Sequence, residues 1–153
     1  YDLPDRDHAY STAAPKIEQI IKENPSIQVV IDLHRDGVAE STRLVTEQNG
    51  KKMAQIMFFN GLSRTTSIGD IAYLKNPYIE DNLAFSFQMQ LAAAEYYPGL
   101  TRRIYLKGYR YNMHFCPKSL LVEVGAQTNT LKEAQNSMEP LADLLGKVLG
   151  GEE

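Results

Sequence analysis

The chain has little of what several classes of protein require. Among its 153 residues is a single cysteine, Cys116, which excludes an internal disulfide. No apolar run approaches the roughly 20 residues that a membrane-spanning helix needs. The 16 basic and 19 acidic residues are interspersed, so no basic stripe of the kind that binds nucleic acid is present. We therefore expect neither a membrane span in these residues nor a nucleic-acid partner.

The length and the order of predicted elements indicate one α/β domain over residues 1–153. Alternating helices and strands are typical of a mostly parallel sheet flanked by helices. The first strand, rich in β-branched residues, has the pattern of a strand covered on both faces, in a central or parallel position. In chain order we predict a helix at residues 11–22, strands at 27–33 and 53–59, a helix from Asn76-Pro77 to about Tyr97, strands at 102–111 and 119–124, and a helix from the Thr130 capping box to about Leu149, bent at Pro140.

Two residues capable of acid and base chemistry stand near the ends of predicted strands. His34 follows Leu33 at the end of the first strand, and Glu123 lies within the last one. Ligands of open α/β sheets bind beyond the carboxyl ends of strands, where these two side chains could share a substrate. Imidazole is a common zinc ligand, and Asp32 or Asp36 could orient the ring. The alternative is that His34 forms an ordinary loop hydrogen bond.

Glu123 is flanked by apolar residues, and a carboxylate buried there requires a partner. In a catalytic role, burial raises its pKa, and it can take a proton from metal-bound water and pass it to a leaving amine. The alternative is a structural ion pair with a base on a neighbouring strand. The bases available for that pair are Arg102, Arg103 and Lys107.

Other residues offer weaker candidates. Arg35 could stabilise developing negative charge or pair with Asp36, and we favour the pairing. Cys116 with a histidine could form a thiol nucleophile and base, although a small buried side chain is the simpler role. His8 and His114 are ordinary surface residues or metal ligands. The polar stretch from Asn60 to Lys75 is long enough to contact a substrate.

Two segments resemble one known family. The segments Val29–Gly37 and Pro117–Leu131 are similar to the stage II sporulation protein P family of zinc-dependent N-acetylmuramoyl-L-alanine amidases. The likeness extends from Tyr10-Ser11 to Met138–Ala142, nearly the whole chain. Matched stretches of this length are more specific than a short motif.

The resemblance implies a cell-wall hydrolase with the zinc amidase (phosphorylase/hydrolase-like) fold. Its substrate would be peptidoglycan, cut at the amide between muramic acid and L-alanine, with endopeptidase action on cross-links as well. By position, His34 corresponds to the last zinc ligand of the family and Glu123 to its catalytic glutamate. The implied partners are a lytic transglycosylase and a membrane scaffold of the engulfment complex. The implied location is the sporulation septum, outside the cytoplasm, on a parent protein with an N-terminal membrane anchor.

One feature of the family is missing. Its upstream strand ends in a His-Thr-His-x-x-Glu segment that supplies two further zinc ligands, and this sequence begins after that point. A catalytic zinc needs three protein ligands. We therefore expect an N-terminally truncated amidase domain, metal-free or weakly metallated by itself, whose first strand is absent. The strand at residues 27–33 should then expose an apolar edge, open to another segment or another chain.

Two other functions remain open. A wall-binding or scaffold module with an amidase-like fold but no chemistry would account for the missing ligands. A hydrolase based on Cys116 is the third possibility.

Overall fold

The structure of the chain, a computed structural model, describes residues 8–150. The predicted domain also includes residues 1–7 and 151–153, which lie outside the described part. The helices are α1 (Ala9–Glu23), α2 (Ile79–Tyr96), α3 (Leu131–Asn136) and α4 (Met138–Gly150). The strands are β1 (Val30–Asp36), β2 (Val45–Gln48), β3 (Lys51–Ala54), β4 (Ile56–Gly61), β5 (Arg64–Thr65), β6 (Gly69–Asp70), β7 (Tyr105–Lys107) and β8 (Ser119–Ala126).

The central sheet has four strands in the order β1-β8-β4-β7. β1 runs parallel to β8 and β7 parallel to β4, while β4 and β8 are antiparallel. The described residues thus form a mixed α/β fold whose sheet is mostly parallel, as the sequence predicts. Two short hairpins, β2-β3 and β5-β6, stand apart from this sheet.

One face of the sheet packs against α2 and α4 and holds the main core. Phe58 and Val122 alternate inward from β4 and β8, and Met89 of α2 and Leu144 of α4 meet them; all four are fully buried. Burial of each such side chain contributes about 1.5 to 3 kcal/mol. The other face carries a smaller apolar group made of Met57, Phe59 and Leu121.

β1 corrects the prediction for the first strand. It begins at Val30, three residues later than expected, where its first ladder bond runs from Val30 N–H to Lys118 O, and it continues through Asp36. Its parallel pairing is confirmed, but it is an edge strand rather than a central one. Leu33 is 54 % exposed, so β1 is not covered on both faces. The apolar edge expected from the sequence is present in the described residues.

Two other predicted strands also differ, one because it is divided into two and the other because it is shorter. The run at 53–59 divides at Gln55, whose N–H bonds to Leu44 O in the hairpin region, whereas Ile56 joins the central sheet. The run at 102–111 keeps only Tyr105–Lys107 as strand. Tyr111 and Asn112 have φ angles of 52 and 58 degrees, which no strand accommodates.

The helices follow the prediction with two corrections. The first predicted helix lies within α1, and the Thr130 capping box is confirmed by reciprocal bonds with Glu133. α2 begins at Ile79, so Asn76-Pro77 precedes the helix and Asn76 Oδ1 instead accepts a bond from Tyr78 N–H. The last helix breaks at Ser137 rather than bending at Pro140. Pro140 falls in the first turn of α4, where its missing N–H costs little.

Candidate active site

His34 and Glu123 lie opposite each other on two neighbouring strands. His34 of β1 is the register partner of Glu123 of β8, and Glu123 is in turn opposite Met57 of β4. Directly opposed residues point to the same face of a sheet, so these three side chains form one row on the second face. Both site residues lie inside their strands, because β1 continues past His34 to Asp36 and β8 extends past Glu123 to Ala126. The site is therefore on the sheet face near the strand ends, not beyond them as predicted.

Asp32 orients the imidazole of His34. Nε2 of His34 lies 2.7 Å from Oδ1 of Asp32, two residues earlier on the same face. Because a carboxylate can only accept, the contact places a proton on Nε2 and leaves the lone pair of Nδ1 free in the neutral ring. This hydrogen bond raises the pKa of His34 above its usual 6.5, although burial acts in the opposite direction. Between the two carboxylates proposed from sequence, Asp32 is the one that holds the ring.

Glu123 is half-buried, and its Oε2 has no hydrogen-bond partner among the described residues. Burial raises the pKa of this carboxyl above its usual 4.5; His34 and Arg102 oppose the shift, and Asp36 and Asp32 add to it. The structural ion pair does not form in the described part of the chain. Nη2 of Arg102 lies 2.8 Å from Asp36 instead. Glu123 is thus a half-buried carboxyl with a raised pKa and one unpartnered oxygen, in register with His34.

Arg35 and Asp36 do not pair with each other, contrary to the prediction. Nη2 of Arg35 donates to Ala126 O at 2.8 Å and also to Asn129 O, so its guanidinium fastens β1 to the turn after β8. Asp36 is held by Arg102, whose buried Nε has no hydrogen-bond partner among the described residues. Arg35 therefore shapes the turn. From the sequence, Arg102 was expected only as a partner of Glu123. In the structure it contacts the site by its ion pair with Asp36.

Tyr10 of α1 lies beside the imidazole of His34. Its ring is parallel to that of His34, with 6.3 Å between centroids and 8 degrees between planes, and its hydroxyl lies near the Asp32 carboxylate. Burial, with the nearby Asp32 and Glu123 carboxylates, keeps the pKa of Tyr10 above its usual range, so the hydroxyl stays a donor. Tyr10 also meets Tyr111 edge-on at 5.2 Å. No local sequence signal links Tyr10 to Asp32, so its position beside His34 and Asp32 was not predicted.

A cavity of about 610 Å³ lies between α1 and the β1-β8 pair. Asp32 and His34 open into it from the sheet, and Tyr10 and Tyr111 form part of its wall. α1 buries none of its own residues, so this cavity replaces the close packing expected beneath a helix. The site therefore has room for a substrate group next to the imidazole.

The other sequence candidates lie elsewhere. Cys116 is buried, and its Sγ is 3.5 Å from the hydroxyl of Ser119 rather than beside an imidazole. Nε2 of His114 is 3.7 Å from Glu18. His8 precedes α1, and its carbonyl accepts the N–H of Thr12. The segment from Asn60 to Lys75 folds partly into the β5-β6 hairpin, and none of its residues lines the cavity beside His34.

The described residues match one part of a zinc site. His34 with its Asp32 orienter has the form of a metal-binding histidine and its supporting carboxylate. Over residues 8–150, however, no group of three or more His, Cys, Asp or Glu side chains is placed to hold a metal ion. A catalytic zinc takes three protein ligands. The donor set is therefore incomplete in this part of the chain.

Two comparisons with known proteins identify the same family. The family model described as stage II sporulation protein P (SpoIIP) matches residues 1–146. The chain is 25 % identical over 145 residues to stage II sporulation protein P of Bacillus subtilis (strain 168). That match includes 92 % of the chain but 33 % of the relative, so the chain spans about a third of its length. No solved structure matches, and no helix in residues 8–150 is long and apolar enough to cross a bilayer. The chain belongs to the SpoIIP family of sporulation proteins.

Proposed function

We propose that the chain is the catalytic part of a zinc-dependent peptidoglycan hydrolase. The bond cut is the amide between the lactyl group of muramic acid and L-alanine, and peptide cross-links are a second substrate of the same site. The observation that carries the proposal is the half-buried Glu123, with an unpartnered oxygen, in register with a carboxylate-oriented His34. Membership of the SpoIIP family supports it.

In this proposal Glu123 moves the proton. Its carboxylate takes a proton from the attacking water as the water oxygen bonds to the amide carbon. It returns that proton to the nitrogen as the C–N bond breaks, so the amine leaves neutral. The raised pKa favours the first step because a more basic carboxylate takes the proton from the attacking water more readily.

Asp32 and Tyr10 keep His34 in one orientation. The Nε2 contact with Asp32 directs Nδ1 away from that carboxylate, and the hydroxyl of Tyr10 lies near Asp32. The ring of Tyr10 also lies parallel to the imidazole, with 6.3 Å between centroids. The result is a single tautomer with one free nitrogen, which is what a metal ligand requires.

A zinc ion, when bound, would polarise the scissile carbonyl and lower the pKa of water. His34 would be one ligand, and we propose that the others come from residues outside the described part. The open edge of β1, with Ile31 and Leu33 exposed, is where a further strand could pair. Such a strand would extend the sheet next to His34.

We also propose a biological setting from the family. The protein would act outside the cytoplasm at the sporulation septum during engulfment, anchored by an N-terminal membrane segment of the parent protein. Its partners there would be peptidoglycan, a lytic transglycosylase and a membrane scaffold.

The test is release of peptides from purified cell wall by the protein in its full natural length. Wild type should release peptides ending in a free L-alanine amine and bind one zinc per chain. Glu123→Gln should keep the zinc but lose release by at least about 100-fold, and His34→Ala should lose both. Lys132→Gln, an exposed change on α3, is the control and should match wild type. Full release by Glu123→Gln would refute the proposal.

A non-catalytic wall-binding module is the second candidate. The incomplete donor set over residues 8–150 favours it. The same proteins distinguish the two functions. The binding module is supported if wild type sediments with cell wall but binds no zinc and releases no peptide.

A further inference from the structure

A second cavity, of about 460 Å³, adjoins the first. Tyr10, Tyr111 and Asn112 line both, so the two form one cleft that passes on either side of the edge-on contact between the two tyrosines. A polymer substrate needs such length, because groups on both sides of the cut bond must be held. The second cavity lies at the end of the cleft away from Asp32 and His34, neither of which lines it.

The chemistry of the second cavity differs from that of the first. Arg110 is the only charged residue among those described as lining it, beside the hydroxyl groups of Ser11 and Tyr109 and the amide of Asn112. Tyr109 is 62 % exposed and available for contact. A cationic fork among polar and aromatic groups fits a carboxylate attached to a peptide.

The guanidinium of Arg110 is only partly satisfied. Its Nη1 donates a hydrogen bond to the carbonyl of Lys75, at 3.0 Å. Within residues 8–150 it has no ion-pair partner within 4 Å. Burial lowers the pKa of Arg110, with Glu18 acting weakly the other way. A cation that has lost part of its hydration without a carboxylate partner gains from an incoming anion.

The segment that carries Arg110 is held rigidly. Tyr111 and Asn112 both adopt left-handed backbone angles, which non-glycine residues keep only where their surroundings enforce them. The enforcing contacts are present: Asn112 Nδ2 donates to Tyr10 O at 2.9 Å, and a Cβ on Gly61 would lie 2.4 Å from Tyr109 O. Strain of this kind concentrates at ligand-binding sites. Arg110 and Tyr109 are thus presented in a fixed arrangement.

We propose that the second cavity is a subsite for the peptide of the wall polymer, with Arg110 binding one of its carboxylates and Tyr109 packing against the chain. The inference rests on the proposed function, since it assigns one side of the cut bond to this end of the cleft. The glycan then lies on the side of the first cavity and Asp32.

The test separates binding from catalysis by using Glu123→Gln in the full-length protein. Two probes are titrated by calorimetry: a glycan-free stem peptide with its carboxylates free, and peptide-free glycan strands. Arg110→Gln in this background should weaken peptide binding at least tenfold and leave glycan binding unchanged. Arg110→Lys should restore part of the affinity, since it restores the charge. Lys132→Gln, which removes the same charge outside the cleft, should change neither.

Tyr109→Ala serves where Arg110→Gln fails to fold, because Tyr109 is largely exposed; it should weaken peptide binding several-fold. Peptide binding that is unchanged in both variants, or loss of glycan binding instead, would overturn the subsite. The proposed function has a separate outcome. If wild type releases no peptide from wall while peptide binding depends on Arg110, the hydrolase proposal fails and the subsite stands.

Discussion

The 2.7 Å contact between Asp32 and His34 determines which imidazole nitrogen is free. Asp32→Asn keeps the shape of the side chain but removes its charge, so the imidazole loses its basicity and its preference for one tautomer. We expect zinc affinity and peptide release to fall by about 10- to 100-fold, the usual cost of losing such a supporting carboxylate. Measurements are zinc competition with a chelator and the wall-release assay.

The control for that substitution is Asp70→Asn. Asp70 is exposed on β6, pairs only loosely with Arg64 at 3.5 Å, and lines neither cavity. It should leave both readouts at the wild-type level. Equal losses in the two variants would show that Asp32 has no special relationship with His34.

Tyr10→Phe removes one hydroxyl and retains the ring against His34. The hydroxyl lies near the Asp32 carboxylate, so its loss should leave that carboxylate freer to turn and should lower peptide release several-fold. The free energy of unfolding should change by about 1 kcal/mol or less, since a single polar group is removed and the ring is kept. Tyr73→Phe, at a tyrosine that is 78 % exposed, is the matched control. Unchanged release by Tyr10→Phe would remove it from the site.

Local sequence patterns predicted what local interactions determine. The capping box joins Thr130 and Glu133, which are three positions apart, and it was found as expected. Glu123 was identified because its immediate neighbours are apolar. In contrast, Arg102 reaches Asp36 across 66 positions. No spacing rule predicts a contact of that kind.

The edge position of β1 shows the same limit. Its apolar residues, Ile31 and Leu33, match the pattern of a covered strand, yet within residues 8–150 both stay exposed, Leu33 to 54 %. Burial is a property of the whole fold, so composition alone does not determine it. The continuation of β1 to Asp36 also places His34 inside the sheet rather than in a loop, which changes where the site lies.

His114 should make stability depend on pH. Burial lowers its pKa below the usual 6.5; Arg110 acts the same way, and Glu18 opposes both. The folded state therefore prefers the neutral ring, and below about pH 6.5 the unfolded chain binds a proton that the folded chain does not. Stability from this residue is full above that pH and declines as the pH falls.

The measurement is chemical denaturation of wild type and His114→Gln between pH 7.5 and 5.5. The difference in unfolding free energy, wild type minus variant, should decrease steadily toward the acid end. His34 titrates in both proteins, so its opposite contribution cancels. A difference that is constant with pH would mean that the ring of His114 is equally easy to protonate in both states.

Gly125 couples the strand that carries Glu123 to the following turn. It has a φ of +63 degrees, and a Cβ there would lie 2.4 Å from Asn129 Oδ1 and 2.7 Å from the Cβ of Ala54. Gly125→Ala should therefore cost about 1 to 2 kcal/mol for the backbone angle and about 1 to 3 kcal/mol for the overlap. Gly50→Ala shares the positive φ, at +76 degrees, but meets nothing within 4 Å, so it should cost the backbone contribution alone. Thermal unfolding of both variants measures the difference. Equal losses would mean that Asn129 moves aside freely, and the bond from Ala126 N–H to Asn129 would then not constrain the end of β8.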